Sequence, residues 1–124
     1  MSTPQQTIVV VDDNELASEL LSEFLAIQGH EVKVAADGAQ ALDLCAQMRP
    51  QIVIVDIVLP DMDGHELARR LRETLTPPPA CIALSGLPRT TQSGEPEVFD
   101  AWIEKPADLS ALEDLIANIA SKAH

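Results

Sequence analysis

Ile8-Val9-Val10-Val11-Asp12-Asp13 is the stretch that decides how this chain folds. Four β-branched residues in succession, with no polar alternation, are the pattern of a strand buried on both faces. The run then stops at two carboxylates. A second run of the same kind, Ile52-Val53-Ile54-Val55-Asp56, also stops at an aspartate. Strands buried on both faces belong to parallel sheets, whose ligands gather at the carboxyl ends of the strands. Asp12, Asp13 and Asp56 are therefore expected at one sheet edge, where they repel one another unless a cation lies between them.

Working outward, strand and helix signals alternate along the chain. Residues 14–28 carry Leu16, Leu20, Leu21, Phe24 and Leu25 at a spacing that makes one helical stripe, with Asn14 as the cap and Gly29 as the stop. A weaker strand over 31–35 suits a place near the sheet edge. A helix over 39–48 ends before Pro50, and a third over 65–75 buries Leu67, Ala68, Leu71 and Leu75. Arg69, Arg70 and Arg72 are read as a solvated face of that helix, and Asp61 and Asp63 as turn formers ahead of it. Strands over 81–84 and 101–103 and a last helix over 109–121 complete the series. The exception is 88–97, which holds two prolines and no apolar residue, so it supports at most a turn or two of helix. The pattern predicts an α/β fold: a five-stranded parallel sheet covered on both faces, with the helix before the fifth strand short or mobile.

The bulk properties fit one domain over 1–124, with its core in residues 7–120. A hydrophobic share of 46% argues against global disorder. A net charge of −12 argues against a nucleic-acid partner, whose phosphates would be repelled. No apolar run is long enough to span a bilayer and no signal pattern opens the chain, so the expectation is a cytoplasmic protein without membrane insertion. Cys45 and Cys81 sit among apolar residues and read as small buried hydrophobes.

Asp12-Asp13, Asp56, Ser85 and Lys105 each follow an expected strand, so all four points should meet at the same edge. Oxygen ligands suit Mg²⁺, with Mn²⁺ as an alternative. A lysine and a hydroxyl suit the oxygens of a phosphoryl group, and an aspartate flanked by metal and lysine is a competent phosphoryl acceptor.

Together, Val10-Val11-Asp12-Asp13-Asn14, then Val55-Asp56-Ile57-Val58-Leu59-Pro60-Asp61-Met62-Asp63-Gly64, resemble the receiver domain of response regulators in two-component signalling. The resemblance continues through Ile82-Ala83-Leu84-Ser85-Gly86 and Phe99-Asp100-Ala101-Trp102-Ile103-Glu104-Lys105-Pro106. It implies a flavodoxin-like, three-layer (βα)5 fold with strand order 2-1-3-4-5. It implies that Asp56 accepts a phosphoryl group from a histidine kinase or histidine phosphotransfer protein. Asp12, Asp13, Asp56 and the main-chain carbonyl of Val58 would hold the metal. Ser85 would be the switch hydroxyl, Lys105 the phosphate-binding lysine, and Trp102 the switch aromatic, where the family more often has Tyr or Phe. The Lys105–Pro106 bond would be cis.

Two departures carry expectations of their own. The weak 88–97 segment falls where the family places a helix of its output surface, which puts output through that surface in doubt. Val58 and Leu87, two residues after Asp56 and Ser85, are apolar and cannot orient or activate a water, so self-dephosphorylation should be slow. The leading expectation is a stand-alone switch or relay acting on a downstream protein, with no attached output domain. The alternatives are a receiver excised from a hybrid histidine kinase and a phosphorylation-independent pseudo-receiver. A phosphohydrolase of the haloacid-dehalogenase type needs a second acid where this chain has Val58, and is disfavoured.

Overall fold

The computed structural model describes residues 5–76, 78–85, 99–104 and 108–122, with 120–122 described by backbone alone. Five parallel strands form one sheet: β1 (Thr7–Val11), β2 (Glu31–Ala35), β3 (Ile52–Asp56), β4 (Ala80–Ser85) and β5 (Ala101–Glu104), in the order β2-β1-β3-β4-β5. This is the flavodoxin-like order. The helices among the described residues are α1 (Glu15–Ile27), α2 (Gly38–Met48), α3 (Gly64–Thr74) and α4 (Leu109–Lys122). The segment 88–97, whose helix was expected to be short or mobile, lies outside the described residues.

Period-two alternation splits the apolar strand residues between two core clusters, one on each face of the sheet. Ile8, Val10, Ile52, Ile54, Ile82 and Leu84 pack with Leu21 and Leu25 of α1 and with Leu112 and Ile116 of α4. Val9, Val11, Val53, Val55, Cys81 and Ala83 pack with Ala41 and Cys45 of α2 and with Leu67, Ala68 and Leu71 of α3. Neither β1 nor β3 is exposed along its apolar residues, so both sit at the centre of a three-layer sandwich. At the edge, β2 exposes Glu31, Lys33 and Val34, as its weaker pattern suggested.

The helix boundaries have local causes. Asn14 accepts from the Ala17 amide at the start of α1, and Gly29, at a φ of 98°, adopts the left-handed conformation that ends it. The α1 stripe departs from expectation. Leu21 and Leu25 are buried beside Ser18, whereas Leu16 and Leu20 are 74% and 66% exposed, and Ile27 is 82% exposed. The sheet covers only a narrow arc of α1, through positions 18, 21 and 25 with Phe24 packed partly buried beside them, and Leu16, Leu20 and Ile27 face outward.

The arginines of α3 also differ from a plain solvated face. Arg70 pairs with Glu66 one turn earlier, and Arg72 reaches Asp100 at 3.7 Å. Asp100 is itself tied to β4, exchanging two 2.8 Å hydrogen bonds with the backbone of Cys81.

At the amino edge of the sheet, the buried His30 accepts at Nδ1 a 3.0 Å hydrogen bond from the Gln6 amide. Burial lowers the His30 pKa, because the imidazolium would lose its hydration. Protonation is then easier in the unfolded chain, whose histidine titrates near 6.5. The stabilising effect of neutral His30 is complete above that pH and is lost as pH falls below it. We expect the urea midpoint to fall between pH 7 and pH 5.5 more steeply in the wild type than in His30→Gln.

Candidate metal and phosphoryl site

Strand register builds the site. Val11 is opposite Val55, so the next residues, Asp12 and Asp56, leave β1 and β3 side by side. Asp56 is opposite Leu84, which sets Ser85 one step beyond it on the neighbouring strand. Ser85 is in turn opposite Glu104, the last residue of β5. Asp12, Asp56 and Ser85 are 1%, 7% and 6% exposed, the burial of a site and not of a solvated surface. Lys105, Pro106 and Leu87 lie outside the described residues, and with them the expected cis peptide.

One carboxylate oxygen from each of Asp12, Asp13 and Asp56 falls within 4.8 Å of the others. Asp13 is the exposed member, at the mouth of the cluster. Local amides orient the two buried carboxylates: Asn14 donates to Asp12 Oδ1 at 2.9 Å, and Val58 donates to Asp56 Oδ1 at 3.2 Å. The donor set is all oxygen and carries concentrated negative charge, which fits a hard divalent cation and not a soft one.

The loop between β3 and α3 is tightly folded. Gly64 donates to the Ile57 carbonyl at 2.8 Å, and Val58 faces Asp63 across an antiparallel bridge. A Cβ on Gly64 would stand 2.6 Å from the Asp56 carbonyl oxygen and 2.8 Å from Ile57 Cα, so only glycine lets α3 begin this close to the site. The Val58 side chain is 76% exposed beside Asp56.

Asp63 acts locally, as a turn former does, whereas Asp61 proves more specific. Asp63 caps α3 by accepting from the His65 amide at 2.7 Å. Asp61 accepts from Gly38 and Ala39, at 2.8 and 3.0 Å, and so binds the first turn of the neighbouring helix α2. These amides, Gly38's foremost, hold the Asp61 carboxyl below the usual carboxylate range. Nothing in the local sequence around Asp61 signals a partner so distant along the chain.

Trp102 packs half-buried against the α2/α3 core. Its ring meets Phe99 edge-on with centroids 5.9 Å apart, and His65 lies 6.0 Å from Trp102 and 5.3 Å from Phe99. The sequence reading did not single out His65. Its position directly after Gly64, at the start of α3, was the available signal. A cavity of about 440 Å³ opens at the opposite, amino edge of the sheet, lined by Gln6, Arg49, Gln51 and Thr76, and shares no residue with the acidic cluster.

The model of the response regulator receiver domain matches residues 8–117, and the chain belongs to that family. Response regulator MprA of Mycobacterium sp. (strain KMS) is 36% identical over 116 residues, which make up 90% of this chain and 48% of that protein. Sensor histidine kinase RcsC of Salmonella typhi is 32% identical over 122 residues, 98% of this chain and 13% of that protein. Response regulator protein TrrA of Thermotoga maritima, solved in complex with Mg²⁺-BeF, has a TM-score of 0.83 and 26% identity, over 93% of this chain and 99% of that one. The chain thus spans about half the length of MprA and a small part of RcsC.

Gly64→Ala tests how closely the loop is fitted to the site. The added methyl meets backbone and not a mobile side chain, so we expect a loss of about 1–3 kcal/mol in chemical denaturation.

Proposed function

We propose that this receiver domain takes a phosphoryl group from a phosphohistidine donor onto Asp56, and that the new charge changes a surface read by a downstream protein. The observation that carries this reading is the meeting of Asp12, Asp13 and Asp56 within 4.8 Å at the carboxyl edge of the sheet. Asp12, Asp13, Asp56 and the Val58 carbonyl would hold Mg²⁺, or Mn²⁺ in its place. The likeness to TrrA, solved with Mg²⁺-BeF, supports that assignment. When bound, the cation offsets the negative charge gathering on the transferred group.

In the transfer, an Asp56 carboxylate oxygen attacks phosphorus while the phosphorus–nitrogen bond to the donor imidazole breaks. The imidazole leaves with the bonding electron pair and takes a proton. Lys105, which the sequence places directly after Glu104, would bind a phosphoryl oxygen, and the Ser85 hydroxyl another. Movement of Ser85 toward the phosphoryl group would shift Trp102 against His65 and Phe99, carrying the signal to the β5 side of the molecule.

Val58 exposes an apolar side chain next to Asp56 and offers no group that could orient or activate a water. The same reasoning extends to Leu87 from its sequence position. The reading is accordingly a signalling phosphoacceptor with slow self-dephosphorylation, and not a phosphohydrolase with turnover. A second reading, a receiver within a longer histidine kinase, is supported by the likeness to RcsC.

Two experiments test the proposal. Incubation with Mg²⁺ and acetyl phosphate should give a base-labile adduct in the wild type and none in Asp56→Asn, followed by intact-mass spectrometry. After donor removal the adduct should persist for minutes. Absence of an adduct would favour a phosphorylation-independent pseudo-receiver, and decay within seconds would sink the slow-hydrolysis reading.

The second experiment concerns the donor. The outward-facing Leu16, Leu20 and Ile27 of α1 begin within a turn of Asp13 and lie among Glu15, Glu19 and Glu23. An apolar face rimmed by acids suits a donor protein whose docking helix is apolar with a basic rim. Leu20→Glu should slow transfer from a phosphorylated histidine phosphotransfer protein about tenfold or more, as loss of a central apolar contact does. Labelling by acetyl phosphate should stay unchanged.

A further inference from the structure

We propose that Asp61 is a positioning residue for the metal and phosphoryl site, tying the loop that carries Val58 to the start of α2. The proposal rests on the metal-dependent acceptor reading above and deepens it. A turn-forming aspartate bonds amides within about two residues of itself, as Asp12 does with Asn14 and Asp63 with His65. Asp61 instead reaches residues 23 and 22 positions earlier, with one oxygen on the Gly38 amide at 2.8 Å and the other on the Ala39 amide at 3.0 Å. Both are charge-assisted hydrogen bonds to the first turn of a helix, where a carboxylate is favoured twice over.

The helix does not depend on Asp61 to begin. Asp37 is already its cap, accepting from the Gln40 amide at 2.8 Å. What Asp61 adds is a bond between two elements that sequence keeps apart. A second contact backs it: a Cβ on Gly38 would lie 2.6 Å from Met62 Cγ and Sδ, so the Met62 side chain of the loop packs directly on the helix backbone at Gly38.

Topology gives this link its consequence. β1 lies between β2 and β3, so Asp12 and Asp13 emerge between the exits of those two strands. The exit of β2 leads into α2, and the exit of β3 is the loop holding Val58 and Asp61. Asp61 and Met62 join the two exits on the α2/α3 side, which fixes the β3 loop relative to the β1 carboxylates. The spacing of the whole ligand set then depends on a residue that is itself no ligand.

The test measures Mg²⁺ binding to the purified protein by calorimetry in wild type, Asp61→Ala, Asp61→Asn and Met62→Ala, with acetyl phosphate labelling at saturating Mg²⁺ alongside. We expect Asp61→Ala to weaken Mg²⁺ about tenfold, the lower end for groups that orient ligands, with a smaller loss in the saturated labelling rate. Asp61→Asn keeps one acceptor and should fall between. Met62→Ala alters no charge and should weaken binding in the same direction. In the metal-free protein, the Gly38 and Ala39 amides should exchange faster in Asp61→Ala.

A wild type that binds Mg²⁺ while Asp61→Ala stays within twofold of it overturns this proposal alone. So does a result in which Asp61→Asn equals Asp61→Ala and Met62→Ala changes nothing, since Asp61 would then act only through its charge. A wild type that binds no Mg²⁺ overturns the proposal together with the reading beneath it. If Asp61→Ala melts below the assay temperature, the Asn and Met62 variants decide by the same criteria.

Discussion

Negative charge crowded at one sheet edge is the constraint around which this molecule is organised. The buried carboxylates of Asp12 and Asp56 approach within 4.8 Å. At an effective dielectric of about 20, two such charges repel by roughly 3–4 kcal/mol. A flexible chain would relieve that repulsion by moving apart. Here the carboxylates leave adjacent strands whose apolar residues are wholly buried and locked in parallel register, so their backbones are held side by side. The packing of β1 against β3 is what keeps this charge gathered at the edge.

The two faces of the sheet divide the remaining work. On one face, α2 and α3 close around the site: Gly64 lets α3 start against Asp56, Asp61 joins the loop to α2, and Phe99, Trp102 and His65 fill the side toward β5. On the other face, α1 gives Leu21, Leu25 and part of Phe24 to the core and turns Leu16, Leu20 and Ile27 outward. One face encloses the acidic edge, and the other leaves large apolar side chains of α1 exposed. The thiols stand apart from both tasks. Burial pushes Cys45 and Cys81 up to about 12, well above an ordinary thiol, so both sit in the core as protonated apolar groups.

Much of this was legible in the sequence because it depends on local patterns. Continuous β-branched runs ending in aspartate marked β1 and β3, and with them the edge at which Asp12, Asp13 and Asp56 meet. Asn14 and Gly29 bracketed α1 through capping chemistry that acts over three residues. What escaped depends on distance along the chain. Leu16 and Leu20 fit the helical period as well as Leu21 does, and only the width of the sheet decides which of them it covers. Arg72 looked like its neighbours until Asp100, from the start of β5, came within reach. Asp61 sits in a turn-rich phrase, where a local reading ends at turn formation, and its partners lie beyond any local window. His65 gains meaning from Phe99 and Trp102, which no periodicity connects to it.

Trp102 is the only tryptophan in the chain, and there is no tyrosine. All of the indole emission therefore comes from one ring, wedged between Phe99 and His65 one strand away from the strand that ends in Ser85. Most proteins need an introduced fluorophore before one element can be watched alone. This molecule carries a native optical reporter on the strand paired with β4, and its spectrum is uncontaminated by any second site.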